Sequence, residues 1–321
     1  MSSFADIFDA TIGSIIKNKH NLIEVISTTP LHEVINIFKN NEITSIPIFE
    51  NISENQQQQQ GEEDNKNITQ GKKYIGIISM VDILSFILKI GDDDTNDSLS
   101  HQVKYVLGST QESLNINLSI ESEDTPLSII VEKMSQGLHR CLVYSGPNSP
   151  MKLLTQTDVV QCILSNANSF PPIQNALSIK IEAIKGVYDL VAISENNLLI
   201  SALDELRVHS AVAIVNDWGE IVSNLSATDF HSILTNFTFF TNITIKQYFT
   251  HRNLISAMTG KYLSEPVTVT SSDTLHHASF LMLQYHIHRV WIVEDGFIGK
   301  GCISLTDVIK AIYTLSGSDS S

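Results

Sequence analysis

Four times along the chain a hydroxyl residue stands three positions before an aspartate, each time inside an apolar run. The runs are IISMVDIL with Ser79 and Asp82, LLTQTDVV with Thr155 and Asp158, SNLSATDF with Ser226 and Asp229, and CISLTDVI with Ser304 and Asp307. Successive aspartates are 76, 71 and 78 residues apart (82 to 158, 158 to 229, 229 to 307). So regular a period means one supersecondary unit used four times, and it bounds the fold before any single residue does. A hydroxyl and a carboxylate at a helix start also suit the ribose and phosphate of a nucleotide.

The last unit displays the internal order. PVTVTSS (Pro266 to Ser272) alternates as a strand. Asp273 or Thr274 can cap a helix that puts Leu275, Ala278, Leu281, Met282 and Tyr285 on one face. Val290 to Val293 predicts a short strand, Glu294-Asp295-Gly296 a turn, and Phe297 to Ile303 the returning strand. Ser304 then caps a second helix with Val308, Ile309, Ile312 and Leu315 inward. The unit is strand, helix, strand, strand, helix, an α/β (α+β) pattern. In the first two units Thr29-Pro30-Leu31 and Thr125-Pro126-Leu127 place threonine as cap and proline at the first helical position.

The expected repeats span 10–90, 100–166, 174–236 and 246–315. The first is longer by a glutamine-rich, acidic stretch at about 51–71, which lacks the apolar content to offset its ordering entropy and should be a disordered hairpin loop. Gly91 to Asp97 and Asn166 to Pro172 read as linkers, and the paired prolines of the second predict a division into two halves, each of two consecutive units.

Composition narrows the function. The formal net charge is −15 and the arginines are Arg140, Arg207, Arg252 and Arg289 alone, which argues against nucleic acid or an anionic membrane as partner. No apolar stretch approaches a membrane span, and the N-terminus has neither a basic start nor an apolar run. Cys141, Cys162 and Cys302 are scattered and read as small core residues in a reducing compartment, so a cytoplasmic setting is expected, or a nuclear one as well. The histidines His276, His277, His286 and His288 do not converge into a metal set, and Gly296 to Gly301 reads as a turn or bulge. No nucleophile elbow or catalytic cysteine signature appears and the repeats consume the chain, so the expectation is a non-enzyme that requires no cofactor.

Strand–helix–strand–strand–helix units with a Gly-x-Ile-Ser/Thr-x-x-Asp return strand, as in YIGIISMVDIL and IGKGCISLTDVI, resemble CBS domains. Four of them resemble the gamma regulatory subunits of AMP-activated (SNF-type) protein kinases. ITIKQYFTHR (Ile243 to Arg252) is similar to that family's inter-repeat helix and HIHRVWIVED to its His-Arg strand entry, while LTQTDVVQCIL and SFPPIQNALSI resemble the plant gamma-like branch. The resemblance implies pairing into two Bateman modules that form a disc, with clefts for AMP, ADP or ATP as regulatory ligands. It implies kinase catalytic and beta-type subunits as partners. By position, Asp82, Asp158, Asp229 and Asp307 match the ribose acceptor, and Ser79, Thr155, Ser226 and Ser304 the adjoining hydroxyl. His139-Arg140 and His288-Arg289 match the phosphate-binding pair, and Lys152 a second phosphate contact. Units one and three carry Thr44-Ser45 and His209-Ser210 in the His-Arg slot and so lack the guanidinium.

Two physical readings stand beside the resemblance. Hydroxyl-x-x-aspartate is also a helix cap with an acidic residue near the positive dipole end, although capping boxes use glutamate or glutamine more often. Arginine's planar fork suits phosphate, yet a strand-edge salt bridge would use it too. Beside nucleotide sensing stand a CBS scaffold with empty clefts and a module for another adenosyl ligand such as S-adenosylmethionine, which as a cation would not need the arginines.

Overall fold

The computed structural model describes residues 10–20, 22–52, 68–69, 71–90, 99–110, 113, 118–146, 149–209, 211–226, 229, 242–259 and 265–317. A short helix α1 (Ile12–Ile16) precedes the first repeat, which runs β1 (Val25–Ile26), α2 (Leu31–Asn41), β2 (Ser45–Asn51), β3 (Ile68–Thr69), β4 (Lys72–Ser79), α3 (Met80–Ile90). The second runs β5 (Ile120–Ser122), α4 (Leu127–Ser135), β6 (Arg140–Tyr144), β7 (Lys152–Thr155), α5 (Gln156–Asn166). After α6 (Pro171–Leu177) the third has β8 (Ala192–Ser194), α7 (Ser201–Val208), β9 (Ala211–Val215) and β10 (Ile221–Ser226). The second helix that the repeat pattern predicts there falls outside the described residues. Helix α8 (Ile245–Thr259) leads to the fourth: β11 (Thr268–Val269), α9 (Leu275–Gln284), β12 (Arg289–Glu294), β13 (Ile298–Ser304), α10 (Leu305–Gly317).

One sheet plan recurs four times. The first strand pairs parallel with the second, across the helix, and the second pairs antiparallel with the returning strand that ends on the motif hydroxyl. Repeat one adds β3 on the edge of β4, giving the order β1-β2-β4-β3. The glutamine-rich insertion leaves the paired strands where the alignment of repeats requires, at Asn51 opposite Lys72; residues 53–67 and 70 lie outside the described residues. The glycine-rich turn of repeat four also resolves as expected. Asp295, Gly296 and Phe297 take positive φ, and the β12–β13 register slips between Ile292 and Val293.

The helix starts of repeats one and two differ from the sequence pattern by one residue. Pro30 and Pro126 are themselves the flanking residues, with no side-chain cap from a threonine, and the helices begin at Leu31 and Leu127. The reason lies in a partner the periodicity does not reveal. Before every repeat a short leader forms a two-residue bridge: Thr11 with Pro126, Gln102 with Pro30, Lys180 with Thr274, and Thr244 with Leu198. The Leu31 N–H is thereby satisfied by the His101 carbonyl at 2.9 Å and the Leu127 N–H by that of Ala10 at 2.9 Å. Leu275 and Leu199 donate in the same way to Ile179 and Ile243. In repeats one and two backbone from the leader stands in for the side-chain cap, whereas in repeat four the expected Thr274 cap is also present and accepts the His277 N–H at 3.2 Å.

Each leader packs on the repeat beside its own in the chain. The leader before repeat one serves repeat two and that before repeat two serves repeat one; the third and fourth exchange likewise. The apolar residue after the bridge is fully buried in every case: Ile12, Val103, Ile181 and Ile245.

Two hydrophobic cores result, and they do not follow chain order. One unit gathers Met1–Leu22, Ser119–Leu190 and Pro266–Ser321; the other gathers Ile23–Leu118 and Val191–Glu265. Repeats two and four thus share a core, in which α10 packs on α4, α5 and α6 through residues such as Val131, Val159, Ile309 and Ile312. Repeats one and three share the other, with α7 on α3 around Phe38, Leu84, Ala202 and Leu206. The expected division at 166–172 into consecutive pairs is therefore not the division of the cores. The paired prolines occupy the first turn of α6, where a missing N–H costs nothing, and Ile173, Ala176 and Leu177 are buried against α10. Among the described residues no helix is long and apolar enough to cross a membrane.

Candidate functional site

In all four repeats the returning strand ends on the motif hydroxyl, and in repeats one, two and four it passes directly into a helix. The geometry of that junction repeats closely. Oδ2 of Asp82 accepts the Ser79 N–H at 2.7 Å and its hydroxyl at 2.7 Å. Oδ2 of Asp158 accepts from Thr155 at 2.8 and 2.6 Å, that of Asp229 from Ser226 at 2.8 and 3.0 Å, and that of Asp307 from Ser304 at 2.8 and 2.6 Å. Thr155 closes a full capping box. In repeats one, two and four one carboxylate oxygen therefore starts a helix, as the local reading requires, and Asp229 makes the same contacts with Ser226. What each carboxylate can do beyond capping rests on the rest of its surroundings.

There the four repeats part. Asp82 is 1% exposed and its Oδ1 accepts the Thr110 hydroxyl at 2.5 Å. Asp229 receives the Arg252 guanidinium on Oδ1 at 2.5 Å, and that guanidinium lies 4.5 Å over the Phe249 ring. Burial pushes the Asp229 carboxyl above its ordinary range, while Arg252 and the Ser226 donors pull it back. Asp158 holds the Lys19 ammonium on Oδ2 at 2.5 Å; the same ammonium donates to the Leu153 carbonyl at 2.8 Å. Asp307 is half-buried, and among the described residues no donor meets its Oδ1.

Lys19, Thr110 and Arg252 have no place in the motif search. Each nevertheless stands eight residues after the leader's bridge residue, Thr11, Gln102 and Thr244. Counting eight from Lys180 gives Tyr188 in the leader that serves repeat four. Tyr188 is 42% exposed, and desolvation, with Glu182 and Glu294 adding to it, raises the pKa of its hydroxyl. The signal in the sequence was the leader's own period, a polar residue followed by Ile or Val ahead of each repeat.

Strand register places the arginines. Arg140 pairs with Thr155 and Arg289 with Ser304, each opposite the motif hydroxyl. In repeat one the same position is Ser45, opposite Ser79. In repeat three it is Ala211, opposite Ser226, one residue beyond the His209-Ser210 alignment; Ser210 itself lies outside the described residues. The preceding histidines contribute backbone here: the carbonyls of His139 and His288 accept the N–H groups of Gln156 and Leu305, at 3.1 and 3.0 Å, where α5 and α10 begin. The His288 side chain is exposed and that of His139 half-buried.

Arg289 is half-buried beside Cys302 and Asp307. Burial lowers its pKa from the ordinary arginine value, and Cys302 and Asp307 oppose that shift; a guanidinium remains protonated throughout. Burial raises the Cys302 thiol in turn. Lys152 reaches the Ile16 and Lys17 carbonyls at 3.1 and 3.2 Å, the C-terminal end of α1, where a cation meets the negative end of the helix dipole. Repeat four thus combines an acceptor oxygen, a hydroxyl and a guanidinium within one strand–helix junction. Such a set can bind a vicinal diol next to an anion.

The CBS domain family matches residues 260–314. Over 359 aligned residues, covering 99% of both chains, the protein is 22% identical to the SNF1-related protein kinase regulatory subunit gamma-like PV42b of Arabidopsis thaliana. It is 25% identical to the gamma-like PV42a of the same plant, over 75% of this chain and 76% of that one. Protein MJ1225 from Methanocaldococcus jannaschii has the same fold, with a TM-score of 0.67 at 15% identity, covering 94% of this chain and 99% of that one. Residues 260–314 thus match a CBS domain, the other three repeats share the sheet plan of that segment, and the chain is similar along nearly its whole length to a plant gamma-like regulatory subunit of SNF1-related protein kinase.

Proposed function

We propose that the protein is an adenine-nucleotide-binding regulatory subunit of a protein kinase, acting with catalytic and beta-type subunits and performing no catalysis itself. The observation that carries this reading is Asp307 Oδ1, which has no donor among the described residues, at the junction where Arg289 pairs with Ser304. Ribose hydroxyls would donate to that oxygen, and charge-assisted bonds of this kind contribute about 1.5–3 kcal/mol each. Arg289 would meet the phosphate. Similarity to relatives named as kinase regulatory subunits supports the kinase partner.

Regulation then needs a nucleotide that binds one arrangement of the kinase complex better than another, since equal affinity transmits nothing. Thermal unfolding with AMP, ADP and ATP is the direct test. Ligand at about 100 times its dissociation constant should add about 2.7 kcal/mol of stability. No shift with any of the three at millimolar concentration would overturn the reading.

A scaffold function is favoured by a different observation: Lys19, Thr110 and Arg252 already engage three of the four motif carboxylates. If the kinase complex assembles and is activated normally by a chain carrying Asp307→Ala and Arg289→Ala, the scaffold is the function and nucleotide is not its signal.

A further inference from the structure

We infer that repeat four alone takes nucleotide in the native chain, and that Lys19 is the residue that keeps repeat two closed. This rests on the nucleotide-binding reading above and specifies it.

Repeats two and four offer nearly the same constellation within one unit. Each has a hydroxyl and a carboxylate at the helix start, an arginine paired across the strands with that hydroxyl, and a histidine carbonyl on the first helical N–H. They differ at the leader position eight residues past the bridge. In repeat two it is Lys19, held between Asp158 and the Leu153 carbonyl. In repeat four it is Tyr188, exposed and uncharged, and among the described residues Asp307 accepts from Ser304 alone.

The consequence is electrostatic. Oδ1 of Asp158, like that of Asp307, meets no donor among the described residues, so the difference is not the count of acceptor sites. It is charge and space. The Lys19 ammonium neutralises Asp158 and stands within 2.5 Å of it, so a diol arriving there finds a weaker acceptor and a cation in its path. Asp307 has the Arg289 guanidinium nearby, but among the described residues no cation is bonded to its carboxylate, so its Oδ1 stays open to a ligand. Repeats one and three are closed more firmly: Thr110 and Arg252 bond Oδ1 itself, and Ser45 and Ala211 replace the arginine. Lys19 is 30% exposed, so removing it disturbs no core.

Isothermal titration of the full chain with AMP decides the matter. The wild type should bind one equivalent and Asp307→Asn none. Lys19→Ala should bind two, and adding Asp158→Asn to Lys19→Ala should restore one. Lys19→Gln serves the same purpose if the alanine variant is unstable, and Lys19→Arg should stay at one. Two or more equivalents in the wild type, binding retained by Asp307→Asn, or a single equivalent in both Lys19→Ala and Lys19→Gln would overturn the inference and leave nucleotide binding intact. No heat with AMP, ADP or ATP in any of these proteins would instead remove the functional reading on which it stands.

Discussion

A Cβ built on Gly301 would stand 1.9 Å from the carbonyl oxygen of Val187, which accepts the Cys302 N–H at 2.9 Å. The glycine of the return-strand motif is there so that the leader can cross the strand at backbone contact. Gly76, at the same position of repeat one, would meet the Leu107 side chain at 2.5 Å instead. Backbone cannot swing aside, whereas the end of a leucine can. Gly301→Ala should therefore lower stability at the upper part of the ~1–3 kcal/mol range for overpacking, and Gly76→Ala at the lower part. Urea unfolding midpoints of the two variants check the order.

Asp82 and Asp307 share a motif but not an environment. Asp82 is 1% exposed and accepts three hydrogen bonds, two from Ser79 and one from Thr110. In Asp82→Asn the amide NH2 replaces one acceptor, which leaves a buried donor unmet at a cost of about 1–3 kcal/mol. Asp307 is half-buried, so water can satisfy what Asp307→Asn displaces. Thermal denaturation should show the Asp82 variant clearly less stable than wild type and the Asp307 variant much closer to it.

The repeat was legible because its physics is local. Apolar period, turn glycines and the hydroxyl-aspartate start are written within about 60 residues, and the buried Val308, Ile309 and Ile312 stand where the helical spacing predicts. Tyr285 and Leu315, placed on those same faces, are 51% and 37% exposed, because each lies at the end of its helix where the core no longer covers it. The division of the cores was not legible. Prolines 171 and 172 look like a spacer in sequence, and only the burial of Ile173, Ala176 and Leu177 identifies a packed helix. The site was half legible. The motif located all four carboxylates, but Lys19, Thr110 and Arg252 approach from leaders belonging to another repeat, 139, 28 and 23 residues away in sequence.

The three thiols should differ in reactivity. Burial pushes Cys141 up to about 12, and it is fully buried. Cys302 is raised by burial despite the Arg289 guanidinium beside it. Cys162 is also raised by burial, but it lies on α5 with Asn166 as partner, whose hydrogen bond counters the shift. Since the thiolate is the nucleophile, native-state alkylation near pH ~8 should label Cys162 first and leave Cys141 unlabelled until the chain unfolds. Peptide mapping after timed alkylation reads the order; early labelling of Cys141 would mean that the core of repeats two and four opens readily.

Arg252 has a measurable role through Asp229. Arg252→Met keeps an unbranched side chain to pack on Phe249 but removes the cation from a carboxylate whose side chain is only 14% exposed. Breaking a buried pair from one side costs about 3–5 kcal/mol, and partial exposure here should bring the loss to or below the lower bound. The pH dependence gives the signature. Burial already places the Asp229 carboxyl above its ordinary value, with Arg252 among the groups pulling it back. A raised folded-state value means that the stabilising contribution is present below the unfolded value and is lost as pH rises through the folded one. Removing Arg252 raises the folded-state value further, so the variant loses more stability over that rise than wild type does. The deficit should be small where Asp229 is protonated in both proteins and should grow to a plateau above the variant's folded-state value. Urea unfolding of both proteins at about pH 5 and about pH 8 should show the larger gap at the higher pH; equal gaps would mean that Arg252 stabilises through its stacking on Phe249 and not through the charge of Asp229.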